Sequence, residues 1–205
     1  MIIRFPKRRP QLLFLENAKY ILLATLLIVI ACYQWVDRPI VHYFSSTSAF
    51  TTAIAHQLNN LLSPSTNFFI WPLLFFLLKY GIKNEFWAKR CLNLVVAIPL
   101  SIAIVDILKA LLGRARPDSP LYGFTFFASS NSFYSFPSAH ACTIGAICGT
   151  LSCFYPRYSI PLSVAALILA LSRVILLEHY LSDVIAGVVI GLIASQWTYK
   201  TMKST

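Results

Sequence analysis

Charge is scarce in this chain. Asp, Glu, Lys and Arg make up 12% of its 205 residues, against about 25% in an ordinary soluble domain. Hydrophobic residues make up 58%, and the mean hydropathy is +0.69. Too little polar surface remains to cover a water-soluble fold. The five cysteines are odd in number, contain no C-x-x-C pair and sit mostly within apolar runs, which excludes a disulfide framework or a zinc site. Internal repeats and low-complexity tracts are absent, as is the alternating pattern of a transmembrane barrel. The formal net charge of +10 lacks the basic surface with interleaved aromatics that nucleic-acid binding requires, so no nucleic-acid partner is expected.

What the chain has is apolar length. A hydrocarbon core of about 30 Å takes about 20 residues to cross. Six such runs are expected to span: Asn17 to Val36, Asn67 to Ile82, Cys91 to Leu112, Pro137 to Tyr155, Tyr158 to Leu177 and Asp183 to Lys200. Helices satisfy their backbone polar groups internally. The sequence therefore predicts an all-α, polytopic, six-helix membrane bundle forming one domain over residues 1–205, with residues 1–16 as a basic tail. Val29-Ile30-Ala31-Cys32 loosely resembles a lipoprotein cleavage box, but Tyr33, Gln34 and Trp35 follow without small residues, so no cleavage is expected.

Basic residues set the expected orientation. Arg4, Lys7, Arg8, Arg9 and Lys19, then Lys79, Lys83, Lys89 and Arg90, then Arg157, then Lys200 and Lys203 all fall on one side of a six-span arrangement. The positive-inside rule puts that side, with both termini, in the cytoplasm. In a bacterial inner membrane the other side is the periplasm. On that outer side Phe50, Ile54, Leu58, Leu61 and Leu62 recur at helical spacing among Thr51, Thr52, Gln57 and Asn59, which predicts an amphipathic helix on the surface. The connection from Leu121 to Phe136 carries seven aromatic rings, readable as an interfacial belt or as a lid over substrate.

Three clusters interrupt this apolar background on the outer side. Lys109 precedes Arg116-Pro117 by seven residues. On their own these are a snorkelling lysine, with Asp106 available at i−3, and an interfacial arginine. Arg173 reaches the same face from the fifth span, and three converging cations without carboxylates point to a bound phosphate. Pro137-Ser138-Ala139-His140 opens the fourth span. Ser138 is readable as an N-cap, and the helix start is also a cradle of N–H groups for an anion, with His140 as a proton donor. His179 and Asp183 are four apart, so one face of a helix holds both. They read as a carboxylate-oriented nucleophile or as a metal-ligand pair, which the neighbouring cations disfavour. Glu178 is expected to face solvent or headgroups.

Lys109 to Arg116-Pro117, Pro137 to His140, and Ser172-Arg173 with His179 and Asp183 resemble the three signature motifs of the type-2 phosphatidic acid phosphatase superfamily, which includes bacterial acid phosphatases and vanadium haloperoxidases. The resemblance covers residues 109 to 183. It implies a helical bundle in which His179 attacks phosphorus, Asp183 orients it, His140 protonates the leaving group, and Lys109, Arg116, Ser138, Ala139 and Arg173 hold the phosphoryl oxygens, with no metal or other cofactor. Ala139 departs from the usual glycine of the second motif; its N–H survives, and its methyl narrows the pocket. Gly113-Arg114-Ala115-Arg116-Pro117 and His179-Tyr180-Leu181-Ser182-Asp183 most resemble bacterial lipid phosphatases of the lipid A 1-phosphatase and undecaprenyl diphosphate phosphatase kind. A lipid phosphate or diphosphate is the implied substrate. The alternatives are phosphatidylglycerol phosphate or phosphatidic acid as substrate, transfer to a second lipid instead of water, a haloperoxidase, and a non-catalytic lipid-binding protein.

Overall fold

The computed structural model describes residues 13–127 and 130–204. Arg4, Lys7, Arg8 and Arg9 of the expected tail lie outside the described residues, as do residues 128 and 129 of the aromatic connection. After a short turn at Leu13–Glu16 come seven helices: α1 Ala18–Phe44, α2 Ala49–Leu61, α3 Pro64–Gly81, α4 Glu85–Leu112, α5 Ala139–Phe154, α6 Pro156–Ile175 and α7 Leu181–Ser204. Among the described residues the only β pairing is two isolated bridges, from Arg114 to Phe124 and to Tyr134.

The chain is an all-α, multi-pass membrane bundle, and the helices that correspond to the six spans read from the sequence differ in length. Four helices, α1, α4, α6 and α7, are long and apolar enough to cross a membrane, and α2 with α3 forms a pair bent by 43° that makes a fifth crossing if counted together. The helix expected as the fourth span, α5, has 16 residues and is about 24 Å long at 1.5 Å per residue. It is also the most enclosed helix, packed on α4, α6 and α7. Surrounded by protein, it has no need to match the thickness of the bilayer.

Sequence and packing agree on why α5 and α7 lie so close. Gly145 and Gly149 of α5 lie against Val188, Leu192 and Ser195 of α7, and Gly187 and Gly191 of α7 lie against Ser138, Cys142 and Ala146 at α5, two small-xxx-small pairs that let backbones touch. A Cβ on Gly191 would lie 2.1 Å from the Cys142 carbonyl oxygen, and one on Gly145 would lie 2.3 Å from that of Val188. Polar side chains stitch the same interface toward its other end. Asn93 donates to Thr150 Oγ1 at 2.9 Å and accepts from Thr198 Oγ1 at 2.9 Å, and Gln196 donates to Ser152 Oγ at 3.3 Å. In membrane proteins such bonds contribute about 0.6 kcal/mol each.

The expected amphipathic helix is α2, started by Ser48, whose Oγ accepts from Thr51 N. Ala55 is its buried contact, while Phe50, Ile54 and Leu61 are exposed. The aromatic connection divides in two. Tyr122 stacks on Tyr33 with centroids 5.0 Å apart and meets Tyr180 edge-on, while Phe124, itself exposed, meets Phe136, so these rings pack against one another. Phe126 and Phe127 are exposed.

Candidate active site

The site is built where α4, α5, α6 and α7 present the ends that carry the three clusters. Helix α4 stops at Gly113, whose left-handed backbone (φ 54°) returns its N–H to the Lys109 carbonyl at 3.0 Å, a cap that glycine adopts without a Cβ clash. The chain then folds over the helix end instead of running outward. Main-chain bonds pin it there: Ala115 N to Gly123 O, Arg116 N to Ser132 O, Thr125 N to Gly113 O and Ser135 N to Arg114 O.

Ser138 then starts α5. Its Oγ accepts from Ala141 N at 3.4 Å, so the capping role read from the sequence is realised, and its own N–H donates to the Asp183 carbonyl at 3.1 Å. The N–H groups of Ala139 and His140 follow, in the first turn where no helical carbonyl can reach them. On the other side, the turn after α6 wraps around one carbonyl: Glu178 N and His179 N both donate to Arg173 O, at 3.1 and 3.3 Å. This bond pair holds His179 beside Arg173.

The clusters meet. His140 lies within electrostatic reach of Arg173, His179, Lys109 and Arg116. Ser138, Arg173, His179 and Asp183 are buried, while Lys109, Arg116, Ala139 and His140 are half-buried. The cations divide in a way the sequence did not reveal. Arg173 is paired with Glu178 and also donates to Asn59 of α2, so Glu178 is a partner within the site and not a bystander facing solvent. No ion pair among the described residues includes Lys109 or Arg116, so the Lys109–Asp106 pair of the alternative, snorkelling reading does not form. The Nε atoms of Arg116 and Arg173 are buried and without a hydrogen-bond partner. Clustered positive charge with open donors beside a helix N-terminus is stabilised by an anion.

The expected orienting contact takes a different form. His179 Nδ1 lies 2.7 Å from the Ser135 carbonyl oxygen and 3.7 Å from Asp183 Oδ2. A carbonyl only accepts, so Nδ1 carries the proton and Nε2 is left free. Asp183 acts on His179 by charge, because its oxygens are taken by other donors. Oδ2 accepts from Ser135 Oγ at 2.6 Å and from Tyr180 N at 2.9 Å, and Oδ1 accepts from Arg114. Burial holds His179 below the ordinary histidine range, Asp183 opposing that shift and the Arg173 and Lys109 charges adding to it, so the ring is neutral at pH 7.

Arg114 is the residue the sequence reading missed. It is fully buried. Its guanidinium joins Asp183, Ser182 Oγ at 2.6 Å and Asp37 Oδ2 at 2.7 Å, within a cage formed by Tyr33, Tyr122, Phe124 and Tyr180. Burial works against its charge, but Asp183 and Asp37 outweigh this and raise its pKa. Asp37 itself, also fully buried, comes from α1. One signal was available: an ionisable residue at the end of a membrane run is functional by default.

These features define a helical membrane bundle with a cationic, histidine-bearing site at one end. The sequence matches the PAP2 superfamily over residues 90–204, and the chain belongs to that family. It is 37% identical over 102 residues to a lipid A 1-phosphatase of Rhizobium etli, a match covering 48% of this chain and 44% of that protein. It is 29% identical over 142 residues to a lipid A 4'-phosphatase of Bacteroides thetaiotaomicron, covering 63% of each. The chain thus spans about half the length of the first of these relatives. Its fold is shared with the crystal structure of Aquifex aeolicus LpxE (TM-score 0.60, 21% identity, 80% of this chain and 95% of that one). It is also shared with a transmembrane phosphatidylglycerolphosphate phosphatase of Bacillus subtilis (TM-score 0.67, 21% identity, 92% of this chain and 96% of that one).

Proposed function

We propose that this chain is a metal-independent phosphatase of membrane lipids, working at the periplasmic face of a bacterial inner membrane on lipid A 1-phosphate or undecaprenyl diphosphate. The observation that carries this reading is the pairing of unneutralised cations, Lys109 and Arg116, with a neutral His179 whose Nε2 is free. The phosphate sits against Lys109, Arg116, Arg173, Ser138 and the N–H groups of Ala139 and His140. His179 Nε2 attacks phosphorus; the N–P bond forms as the bond to the lipid oxygen breaks, and His140, which takes up a proton once the bound phosphate offsets the Arg173, Lys109 and Arg116 charges around it, gives that proton to the leaving oxygen. The phosphorylated imidazole is cationic because Nδ1 keeps its hydrogen, and Asp183 stabilises that charge. Water then attacks phosphorus, returns a proton to His140 and frees the ring.

The fixed cations supply the charge stabilisation that a divalent ion gives in other phosphoryl-transfer enzymes. The test is phosphate release from a panel of lipid A 1-phosphate, undecaprenyl diphosphate, phosphatidylglycerol phosphate and phosphatidic acid, in excess EDTA, with wild-type and His179→Ala protein. Release from one of the first two, inhibited by vanadate and lost in the variant, is expected. Activity lost in EDTA and restored by magnesium would refute the mechanism, and preference for either glycerophospholipid would refute the substrate.

A further inference from the structure

Asp37 lies outside all three motifs, 77 residues from Arg114 and 145 from Ser182, yet it is wired to the centre of the site. Its Oδ1 accepts from Ser182 N at 3.0 Å, and its Oδ2 accepts from Ser182 Oγ at 2.5 Å and from Arg114 at 2.7 Å. Every one of these bonds leads to Asp183, either through Arg114 or through the residue before it in the chain. Asp37, Arg114 and Asp183 form a fully buried line of charges, minus, plus, minus.

That order has a consequence for His179. Arg114 alone beside Asp183 would cancel the charge that the phosphorylated imidazole needs. With Asp37 behind it, the line keeps a net charge of minus one. We propose that Asp37 is a positioning residue for the reaction: it holds Arg114 away from full neutralisation of Asp183 and, through Ser182, fixes the start of α7 on which Asp183 stands. This rests on the reading of His179 as nucleophile. It also gives α1, whose other surface is largely exposed to lipid, a direct part in the site. Burial of a carboxylate at this depth is strongly unfavourable unless it is paired and hydrogen-bonded, and here all three of its bonds serve that one line.

The test reads the acid limb of kcat/KM against pH, which reports protonation of free-enzyme His179. Asp183, Arg173, Lys109 and His140 also act on that ring, with Glu178 on Arg173 and Arg116 on His140, and all are left unchanged. Asp37→Asn takes the line from minus one to zero. It should lower the plateau about 10- to 100-fold, as loss of a supporting residue does elsewhere, and move the limb to lower pH by about one unit. Arg114→Gln takes the line to minus two and should move the limb the opposite way. The double variant restores minus one and should return the limb toward the wild-type position, with more activity than Asp37→Asn. A purely structural pair predicts limbs that stay in place and a double variant no better than the singles, and that result would overturn the inference. If one single variant fails to fold, the limb of the other decides. His179→Ala separates the two levels: retained activity there sinks the nucleophile reading and this inference with it, whereas its loss together with unmoved limbs sinks Asp37 alone.

Discussion

Gly187→Ala tests whether the spacing of α5 and α7 sets catalytic geometry. A Cβ at Gly187 would stand 2.4 Å from the Ser138 carbonyl oxygen, 3.1 Å from Ala141 Cβ and 3.2 Å from Cys142 N. Real Cβ atoms do not approach closer than 3.0 Å, so the first turn of α5 and the facing turn of α7 must part by about 0.6 Å. The clash is with backbone, and no rotamer change relieves it. The displacement falls on the bond from Ser138 N to Asp183 O, and so on the distance between the N–H cradle and His179. Catalytic groups must be held within about 0.5 Å of productive geometry, and a 1 Å misplacement costs about 100-fold. A fall in kcat/KM of about 10- to 100-fold is expected, or about 1.4 to 2.7 kcal/mol of transition-state stabilisation, with about 1–3 kcal/mol of stability lost to overpacking. The assay is lipid phosphate hydrolysis by monodisperse protein in detergent, normalised to folded enzyme. Gly81→Ala is the comparison, because its nearest neighbour is the flexible tip of Leu77 at 3.3 Å. Wild-type kcat/KM in Gly187→Ala, or an equal loss in Gly81→Ala, would refute the reasoning.

The burial that depresses the His179 pKa predicts kcat/KM flat through about pH 6.5, the ordinary histidine value, with the acid limb below it; a limb at or above that pH would contradict the assignment. The stability effect has the same origin: the unfolded chain takes up a proton near pH 6.5 that folded His179 refuses until lower pH, so denaturation midpoints should fall as pH drops below that value. Arg173→Lys should lose about 10-fold or more in kcat/KM with Glu178 and Asn59 intact, since a point charge cannot reproduce the guanidinium fork; an unchanged rate would remove Arg173 from the phosphate site. For topology, a cysteine at Asp118 should react with an impermeant thiol reagent in cells with a permeabilised outer membrane, and one at Lys83 should not. The five native cysteines are buried, which keeps the background low, and reversed labelling would overturn the periplasmic placement.

The elements most legible from sequence were those fixed by local chemistry. Ser138, readable as a cap ahead of an apolar run, caps α5 with its side-chain oxygen; Ser48, Ser63 and Asn84 do the same at three other helices, and Gly113 ends α4 in the backbone conformation glycine tolerates, though none of these four was read from the sequence. The three clusters came together because each lies at the end of an apolar run on the same side, and run length with charge placement carries that information. What stayed hidden depends on partners distant in the chain or on backbone atoms. Nothing in a sequence distinguishes the Ser135 carbonyl, which accepts the hydrogen bond from His179 Nδ1, from any other carbonyl, so the contact was read onto the nearby carboxylate Asp183, which lies 3.7 Å away. Arg114 and Arg116 are two residues apart and look interchangeable as outer-side cations, yet their partners give them opposite tasks. Asp37 and Asp183 bind Arg114 on two sides, whereas no ion pair among the described residues includes Arg116, although both arginines have a buried Nε without a hydrogen-bond partner. An arginine's availability to phosphate is thus set by the carboxylates that reach it. In this chain two aspartates hold Arg114, one at the far end of the first membrane helix and one at the start of the last.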